Sequence, residues 1–273
     1  MRAFLILTAM TVFVFSSQQF GFACGPESDC MVGENRHYRI RLPEGHDGKS
    51  PIGAIVYSHG YRGSAKGMMN NGSMAKLASQ MGVALIATKS YAEDWRIPGV
   101  PRNTGTDGKV EFDYFDAVVA DVTTRFPIDR NRLMATGFSA GGMMVWNLIC
   151  HRSQLFAGFA PISGTFWEPE PETCTTPPAN VVHIHGDADP VVPLQGRPIS
   201  DTHQGQVPQV LAMYANYGGY AESGRETEDR LRCQNSRNGD GNILNFCLFS
   251  GGHSFRSEFV KQAWEMLERA GKL

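Results

Sequence analysis

The pentapeptide at residues 137–141, Gly-Phe-Ser-Ala-Gly, limits the possible folds of this chain more than any other feature. A strand-like segment at 133–136 precedes it, and an apolar segment with helical character at 143–150 follows it. A G-x-S-x-G sequence at a strand-to-helix turn requires small residues on both sides, because larger side chains would collide across the turn. The turn holds the Ser139 hydroxyl clear of the sheet, beside the positive end of the helix dipole. This pattern predicts a nucleophilic Ser139; the alternative is an ordinary glycine-rich turn.

Along the chain, strand-like apolar runs alternate with helical patterns, which is typical of a parallel sheet with crossover helices. We predict strands at 52–57, 83–88, 133–136, 159–162 and 181–184, and helices at 74–81, 112–125, 143–150, 206–217 and 258–269. Two more strand-like runs, 230–233 and 243–249, flank a polar turn and predict a hairpin. The expected fold class is α/β, with a mostly parallel central sheet and helices on both faces. No linker, repeat or long charge run divides residues 24–273, so we expect one domain there.

The first 23 residues have the composition of an export signal. Arg2 supplies a positive start, an apolar run follows at 3–15, and Gly-Phe-Ala at 21–23 is a small-x-small cleavage pattern. The apolar run is too short for a good transmembrane helix. We therefore predict a signal peptide at 1–23 and a secreted or periplasmic protein; lipid attachment at Cys24 is the alternative.

The cysteine content supports the same compartment. All six cysteines follow the predicted signal, and an even number in an exported chain predicts disulfides, although six cysteines allow fifteen pairings. Proximity in sequence favours Cys24–Cys30, Cys150–Cys174 and Cys233–Cys247. The alternative for Cys150 is a buried free thiol. A metal site is not expected, because no Cys or His residues have metal-site spacing.

A nucleophilic serine needs a base and an acid. His253 lies in a loop between a predicted strand and the last helix, so it is the candidate base. The segment after the strand at 181–184 offers Asp187 and Asp189; we assign the acid to Asp189 and expect Asp187 to brace the turn. The order Ser139, Asp189, His253 is that of the α/β-hydrolases. His185 ends a strand close to this site, where it could support a catalytic group.

Ester hydrolysis also requires donors for the oxyanion of the tetrahedral intermediate. The backbone N–H of Ala140 is one candidate. The second is the backbone N–H of Tyr61, in a loop after an early strand; His59 and Gly60 of the same loop are expected to contact the substrate. An ordinary tight turn is the alternative for His59 and Gly60.

Three loop aromatics, Trp95, Trp167 and Tyr91, are candidates for stacking against a substrate; packing within the loops is the alternative. The segment 164–178 is too short and proline-rich for a helical lid, so we expect an open cleft. The formal net charge of −2 is too small to indicate nucleic acid or an anionic membrane as a partner. No glycine-rich phosphate loop or nucleotide fingerprint is present, and no cofactor is expected.

With these motifs, the chain resembles the polyhydroxybutyrate depolymerase-like esterases of the α/β-hydrolase superfamily, a group close to feruloyl and acetylxylan esterases. The resemblance extends from residue 38 to the C-terminus and rests on the segments at 58–60, 128–133, 137–144, 186–193 and 251–253. It places the nucleophile, acid and base of the family on Ser139, Asp189 and His253, and its oxyanion loop on Gly60 and Tyr61. It implies ester hydrolysis without metal or cofactor.

Two departures from the family direct the substrate prediction. We expect no extra polymer-binding domain of the kind that extracellular polymer depolymerases often carry, and Tyr61 and Arg62 stand where small residues or cysteine are common in the family. We therefore expect soluble hydroxybutyrate-type oligoesters, or feruloyl and acetyl esters, as substrates. An acyltransferase or peptidase on the same fold, and a catalytically inactive binding protein, are the alternatives.

Overall fold

The structure, a computed structural model, describes residues 24–273; the predicted export signal at 1–23 lies outside the described residues. In this part of the chain the strands are β1 Cys30–Val32, β2 Arg36–Arg41, β3 Ile52–Ser58, β4 Ala84–Thr88, β5 Ile128–Phe138, β6 Gly158–Ile162, β7 Val181–Gly186, β8 Pro198–Ile199, β9 Thr202–His203, β10 Ala221–Glu228, β11 Leu231–Arg237 and β12 Ile243–Phe249. The α-helices are α1 Ala65–Met69, α2 Gly72–Gln80, α3 Lys109–Arg125, α4 Ala140–His151, α5 Val207–Gly218 and α6 Ser257–Arg269, and a 3₁₀ turn spans Ser153–Leu155.

Ten strands form one sheet in the order β1-β2-β4-β3-β5-β6-β7-β12-β11-β10. The six central strands, from β4 to β12, are parallel, whereas the pairs at both edges are antiparallel. Helices with crossover connections cover the parallel part, because parallel strands can be joined only by such connections. The predicted mostly parallel sheet of an α/β fold is confirmed.

The helices bury both faces of this sheet. On one face α3, α4 and α5 pack around large side chains such as Phe115, Trp146 and Tyr214, all fully buried. On the other face α1, α2 and α6 enclose a second cluster that includes Met74 and Trp264. The apolar composition of the central strands follows from burial on both sides.

Some edge strands were not predicted from the sequence. The strand β10 is exposed at seven of its eight positions and is rich in charged residues, so it carries no alternation of apolar and polar residues. It forms because its backbone pairs with β11 from Ala221 to Glu228, with one bulge at Ser223. The short strands β1 and β2 also escaped prediction; they pair with each other, and β2 pairs with β4.

The predicted hairpin near the C-terminus is confirmed, and so are the three disulfides. Cys233 on β11 and Cys247 on β12 are directly opposite each other in register and form a disulfide. The other two disulfides are Cys24–Cys30 and Cys150–Cys174. The sulfur of Cys24 is therefore bonded to Cys30, whereas lipid attachment would need it free. Cys150 is bonded to Cys174, so it is not the buried free thiol that was the alternative.

The Cys150–Cys174 disulfide also fixes the segment 164–178 to the end of α4. This segment has no helix, as the prediction of an open cleft without a helical lid requires. At the carboxyl end of the parallel sheet, the loops after β3, β5, β7 and β12 lie next to one another, because these strands are adjacent or one strand apart. All the predicted catalytic groups belong to these four loops.

Candidate active site

Ser139 stands on a sharp turn between β5 and α4. Its backbone has φ 59° and ψ −122°, in a region that L-residues rarely adopt, and its N–H donates to the carbonyl of Ile162 at 3.0 Å. A Cβ on Gly137 would lie 2.4 Å from the Gly141 carbonyl oxygen, and a Cβ on Gly141 would lie 2.0 Å from the Ser58 carbonyl oxygen. Both flanking positions therefore require glycine. The backbone strain is held in place by this close packing.

The structure brings the predicted base and acid together. His253 Nδ1 and Asp189 Oδ2 are 2.6 Å apart, which is a short hydrogen bond to a carboxylate. The other oxygen, Oδ1, accepts the backbone N–H groups of Val191 at 2.8 Å and Val192 at 2.9 Å. Burial opposes ionisation of Asp189, but these hydrogen bonds outweigh it and hold the pKa of the carboxyl below its usual value. The His253 ring packs on Phe138, the neighbour of Ser139, with centroids 4.5 Å apart.

Asp187 has a different environment. Its carboxylate accepts the N–H of Gly251 at 3.0 Å, the guanidinium of Arg232 at 2.8 Å and the hydroxyl of Ser250 at 3.3 Å. Its side chain thus joins the loop after β7 to the loop that carries His253. The bracing role that we expected of Asp187 agrees with these contacts.

The loop after β3 lies against the serine turn. A Cβ on Gly60 would be 3.7 Å from the Cβ of Ser139. The loop closes through the Gly63 N–H, which donates to the Gly60 carbonyl at 2.9 Å, and is tied to the next loop by the Arg62 N–H, which donates to Glu93 at 2.8 Å. The Tyr61 side chain is 45% exposed. The loop is thus beside the serine, and the donor roles of the Tyr61 and Ala140 N–H groups remain predictions.

His59 and Trp95 are buried beneath this loop. Trp95 is 1% exposed, and its indole N–H donates to the His59 carbonyl at 2.8 Å. His59 Nε2 accepts the N–H of Ser90 at 3.2 Å, so the ring carries its proton on Nδ1 and donates to the Gly60 carbonyl at 2.7 Å. Burial lowers the pKa of His59 to about 4, so the ring is neutral near neutral pH. Trp95 and His59 support the loop after β3 from its buried side.

The predictions of aromatic stacking fare differently for the three side chains. Trp95 exposes no ring face, so direct stacking on a substrate is wrong for this residue; the physical reason is its burial under the loop. Trp167 is also buried, at 7% exposure, and its backbone forms an isolated bridge to Gln204. Tyr91 is 47% exposed, with the guanidinium of Arg96 over its ring at 3.7 Å. Of the three, Tyr91 alone presents a surface for stacking.

Glu111 is a residue that the sequence reasoning missed. It is fully buried in the first turn of α3, where it pairs with Arg36 at 2.7 Å and accepts the N–H groups of Tyr91 at 3.1 Å and Arg96 at 3.0 Å. One carboxylate therefore fixes both ends of the loop segment 91–96. A glutamate early in a helix looks like an ordinary surface residue in sequence, and only its distant partners show its role.

Among residues 24–273 no group of three or more His, Cys, Asp or Glu side chains is arranged to hold a metal ion. Within the same range, no helix is long and apolar enough to cross a membrane.

Sequence comparisons connect this geometry to known proteins. The family model described as phospholipase/carboxylesterase matches residues 110–206, a range that includes Ser139 and Asp189. The chain is 29% identical over 254 residues to NocK of Nocardia uniformis subsp. tsuyamanensis, an esterase by name; the match covers 82% of this chain and 72% of NocK. It is 27% identical over 184 residues to feruloyl esterase C of Emericella nidulans, and covers 63% of each protein, slightly under two thirds.

A comparison of structures finds the same fold in solved proteins. An acetyl xylan esterase from Aspergillus awamori matches with a TM-score of 0.60 at 16% identity, over 88% of this chain and 95% of that one. A carboxylesterase from Bacillus cereus matches with a TM-score of 0.55 at 13% identity, over 87% of this chain and 96% of the other. At these identities the matches show the fold.

Proposed function

We propose that this chain is an exported serine esterase that works through an acyl-enzyme. It is a carboxylic ester hydrolase with the α/β-hydrolase fold, close to the feruloyl and acetylxylan esterases. The observation that carries the mechanism is the 2.6 Å contact between His253 and Asp189, beside the strained turn of Ser139. Asp189 accepts a hydrogen bond from the Nδ1–H of His253, which leaves Nε2 of His253 unprotonated and free to act as a base.

In the acylation step, Ser139 Oγ attacks the ester carbonyl carbon while His253 Nε2 takes the hydroxyl proton. The N–H groups of Ala140 and Tyr61 donate to the oxyanion that forms. When the intermediate collapses, the bond from carbon to the alcohol oxygen breaks, and the alcohol leaves with the proton from His253. Asp189 stabilises the imidazolium between these two events.

In the deacylation step, water replaces the alcohol. His253 takes one proton from the water, whose oxygen attacks the acyl carbon, and the same oxyanion donors act again. Collapse returns the proton to Ser139 Oγ and releases the carboxylic acid. The surroundings of Asp189 suit this cycle, because three donors keep the carboxylate ionised while the histidine charge appears and disappears.

For the substrate we propose soluble esters with feruloyl, acetyl or hydroxybutyrate-type acyl groups. The relatives named as feruloyl esterases support an aromatic acyl group. Exposed aromatic side chains on two loops support the same choice. Tyr61 is 45% exposed and follows Gly60 in the loop beside Ser139, and Tyr91 is 47% exposed, with its backbone N–H held by Glu111. Arginine guanidiniums already lie over both rings, and the exposed part of each ring can contact a planar acyl group.

Export is part of the proposal. All six cysteines form disulfides, which persist in oxidising compartments such as the periplasm and the extracellular space. The cleavable signal proposed at residues 1–23 would deliver the catalytic domain, residues 24–273, to such a compartment.

The test compares Ser139→Ala with Ser223→Ala, a serine on the exposed strand β10. With a nitrophenyl acetate, a feruloyl ester and a hydroxybutyrate oligomer, Ser139→Ala should lower kcat by about 10⁴-fold or more, and Ser223→Ala should leave it unchanged. Circular dichroism should show both variants folded. Turnover by folded Ser139→Ala at the wild-type rate would refute the mechanism, and failure of the wild-type enzyme to hydrolyse any of the three esters would refute the substrate class.

A further inference from the structure

Two buried histidines next to the acid loop have no part in the mechanism above. His183 and His185 are on β7, on the same face, and both are 0% exposed. Their rings are stacked, with His183 Nε2 and His185 Nδ1 2.9 Å apart. Buried imidazoles are costly unless each nitrogen has a partner, so the contacts of the other two nitrogens are informative.

These contacts allow a single arrangement of protons. The indole N–H of Trp146 can only donate, and it donates to His183 Nδ1 at 3.1 Å. Neutral His183 therefore carries its proton on Nε2 and donates to His185 Nδ1. His185 in turn carries its proton on Nε2 and donates to the Val192 carbonyl at 2.8 Å. Every ring nitrogen in this hydrogen-bond chain has a partner, and every donor faces from Trp146 towards Val192.

A second proton on either ring would oppose this arrangement. Protonation of His183 would turn Nδ1 into a donor facing the donor of Trp146. Burial lowers the pKa of both histidines below the usual value, in agreement with the geometry. Both imidazoles are thus neutral near neutral pH, and the hydrogen bonds of this chain keep a single donor-to-acceptor direction.

One end of this hydrogen-bond chain is on the helix that follows the nucleophile, and the other end is on the loop that carries the acid. Trp146 is on α4, the helix that begins directly after Ser139. Val192, whose carbonyl accepts from His185, donates its own N–H to Asp189 Oδ1 at 2.9 Å. His185 Nε2 is also 3.7 Å from Asp189 Oδ2. The chain therefore spans the distance between the nucleophile helix and the loop that carries the acid.

We propose that Trp146, His183 and His185 are positioning residues, which fix the Val191–Val192 peptides and so hold Asp189 in the orientation that binds His253. The proposal rests on the proposed esterase function, since it assigns a purpose to residues behind that triad. His185 supplies the last donor, and Trp146 sets the direction. Without the indole N–H the chain can reverse, so that His185 Nε2 turns an unprotonated nitrogen to the Val192 carbonyl and the contact becomes repulsive.

A direct test is the tautomeric state of the histidines. In protein labelled with ¹⁵N-histidine, NMR should show His183 and His185 with the proton on Nε2, whereas His253 should carry its proton on Nδ1. Trp146→Phe should change the tautomer signals of His183 and His185. Trp264→Phe, a buried tryptophan on the other face of the sheet, is the matched control and should leave them unchanged. A proton on Nδ1 of His183 or His185 in the wild type would overturn the proposal whatever the activity.

Kinetics provide the second test. His185→Leu removes the donor and should lower kcat for a nitrophenyl ester by about tenfold, with KM within about twofold, because substrate contacts are untouched. His185→Gln keeps a side-chain N–H and should recover most of the loss. Trp146→Phe should lower kcat by about threefold, and Trp264→Phe should not change it.

The outcomes separate this proposal from the proposed function. Equal kcat for His185→Leu and wild type, or equal losses in the Leu and Gln variants, would overturn the positioning role. If His185→Leu does not fold, the Trp146→Phe measurements decide. If Ser139→Ala keeps its activity, the esterase mechanism fails, but the NMR result on the direction of the chain still stands.

Discussion

Replacement of Asp189 by asparagine removes a charge without changing the size of the side chain, and the contacts of its two oxygens determine the result. Oδ1 accepts two backbone N–H groups, so the asparagine carbonyl oxygen must occupy that position. The amide NH₂ group then replaces Oδ2, 2.6 Å from His253 Nδ1, and must donate to it. His253 is forced to carry its proton on Nε2, the nitrogen that should accept the proton of Ser139.

The expected loss in kcat is about 10⁴-fold, the size seen when the wrong tautomer of a triad histidine is imposed. Folding should change little, because the backbone donors keep their acceptor. Asp187→Asn is the matched control: it removes the same charge two residues away, where the carboxylate binds Gly251 and Arg232. Its kcat should stay within a few fold of wild type, with a small decrease in melting temperature.

The assay measures kcat and KM with a nitrophenyl ester, together with thermal unfolding, for both variants and wild type. ¹⁵N-histidine NMR of Asp189→Asn should show the His253 proton on Nε2. Wild-type kcat in Asp189→Asn, or a larger loss in Asp187→Asn than in Asp189→Asn, would refute the assignment of the acid and the reasoning from its contacts.

Three other predictions concern stability. Replacement of Cys233 and Cys247 by serine should lower the melting temperature by about 10 °C, because the disulfide closes a loop of 14 residues and contributes about 3 kcal/mol; an unchanged melting temperature would contradict this. Gly141→Ala would place a methyl group 2.0 Å from the Ser58 carbonyl oxygen and should lower the melting temperature by about 10 °C, the effect of about 3 kcal/mol. Gly239→Ala is the control and should be neutral, because a Cβ there would have no atom within 4 Å. Equal melting temperatures of the two variants would refute the steric argument. Burial lowers the pKa of His59 to about 4 in the folded state, from the usual histidine value of 6.5, so the unfolded state binds a proton first as the pH falls. The free energy of unfolding should therefore drop by about 1 kcal/mol per pH unit between pH 6.5 and 4. Urea unfolding of His59→Gln should show a shallower pH dependence, and an identical one would contradict the prediction.

The parts of the site that local sequence determines could be predicted. The serine turn was recognisable because its glycines are required by contacts within a few residues, and the hairpin with Cys233 and Cys247 because its strands adjoin in sequence. Asp189 was chosen over Asp187 because the resemblance to the esterase family places the acid three residues after Gly186. In each case the partners that matter are close together along the chain or lie at strand ends in a fixed order.

Other features depend on contacts between distant segments, which no local pattern reveals. Trp95 is buried because its indole reaches the carbonyl of His59, 36 residues away. Glu111 finds Arg36 at a separation of 75 residues. An aromatic or acidic side chain in such a position has the same local sequence whether it faces solvent or the core. Burial decided these two cases, and burial is a property of the whole fold.

The hydrogen bonds between β7 and β12 continue past the ends of both strands. The Asp187 N–H donates to the Phe249 carbonyl at 3.0 Å, and the Ala188 N–H donates to the Gly251 carbonyl at 3.0 Å. The acid and base loops are thus an extension of the parallel ladder. For protein engineering, the two loops form one structural unit. A graft that moves Asp189 and His253 to another scaffold must carry both loops together with the backbone hydrogen bonds between them.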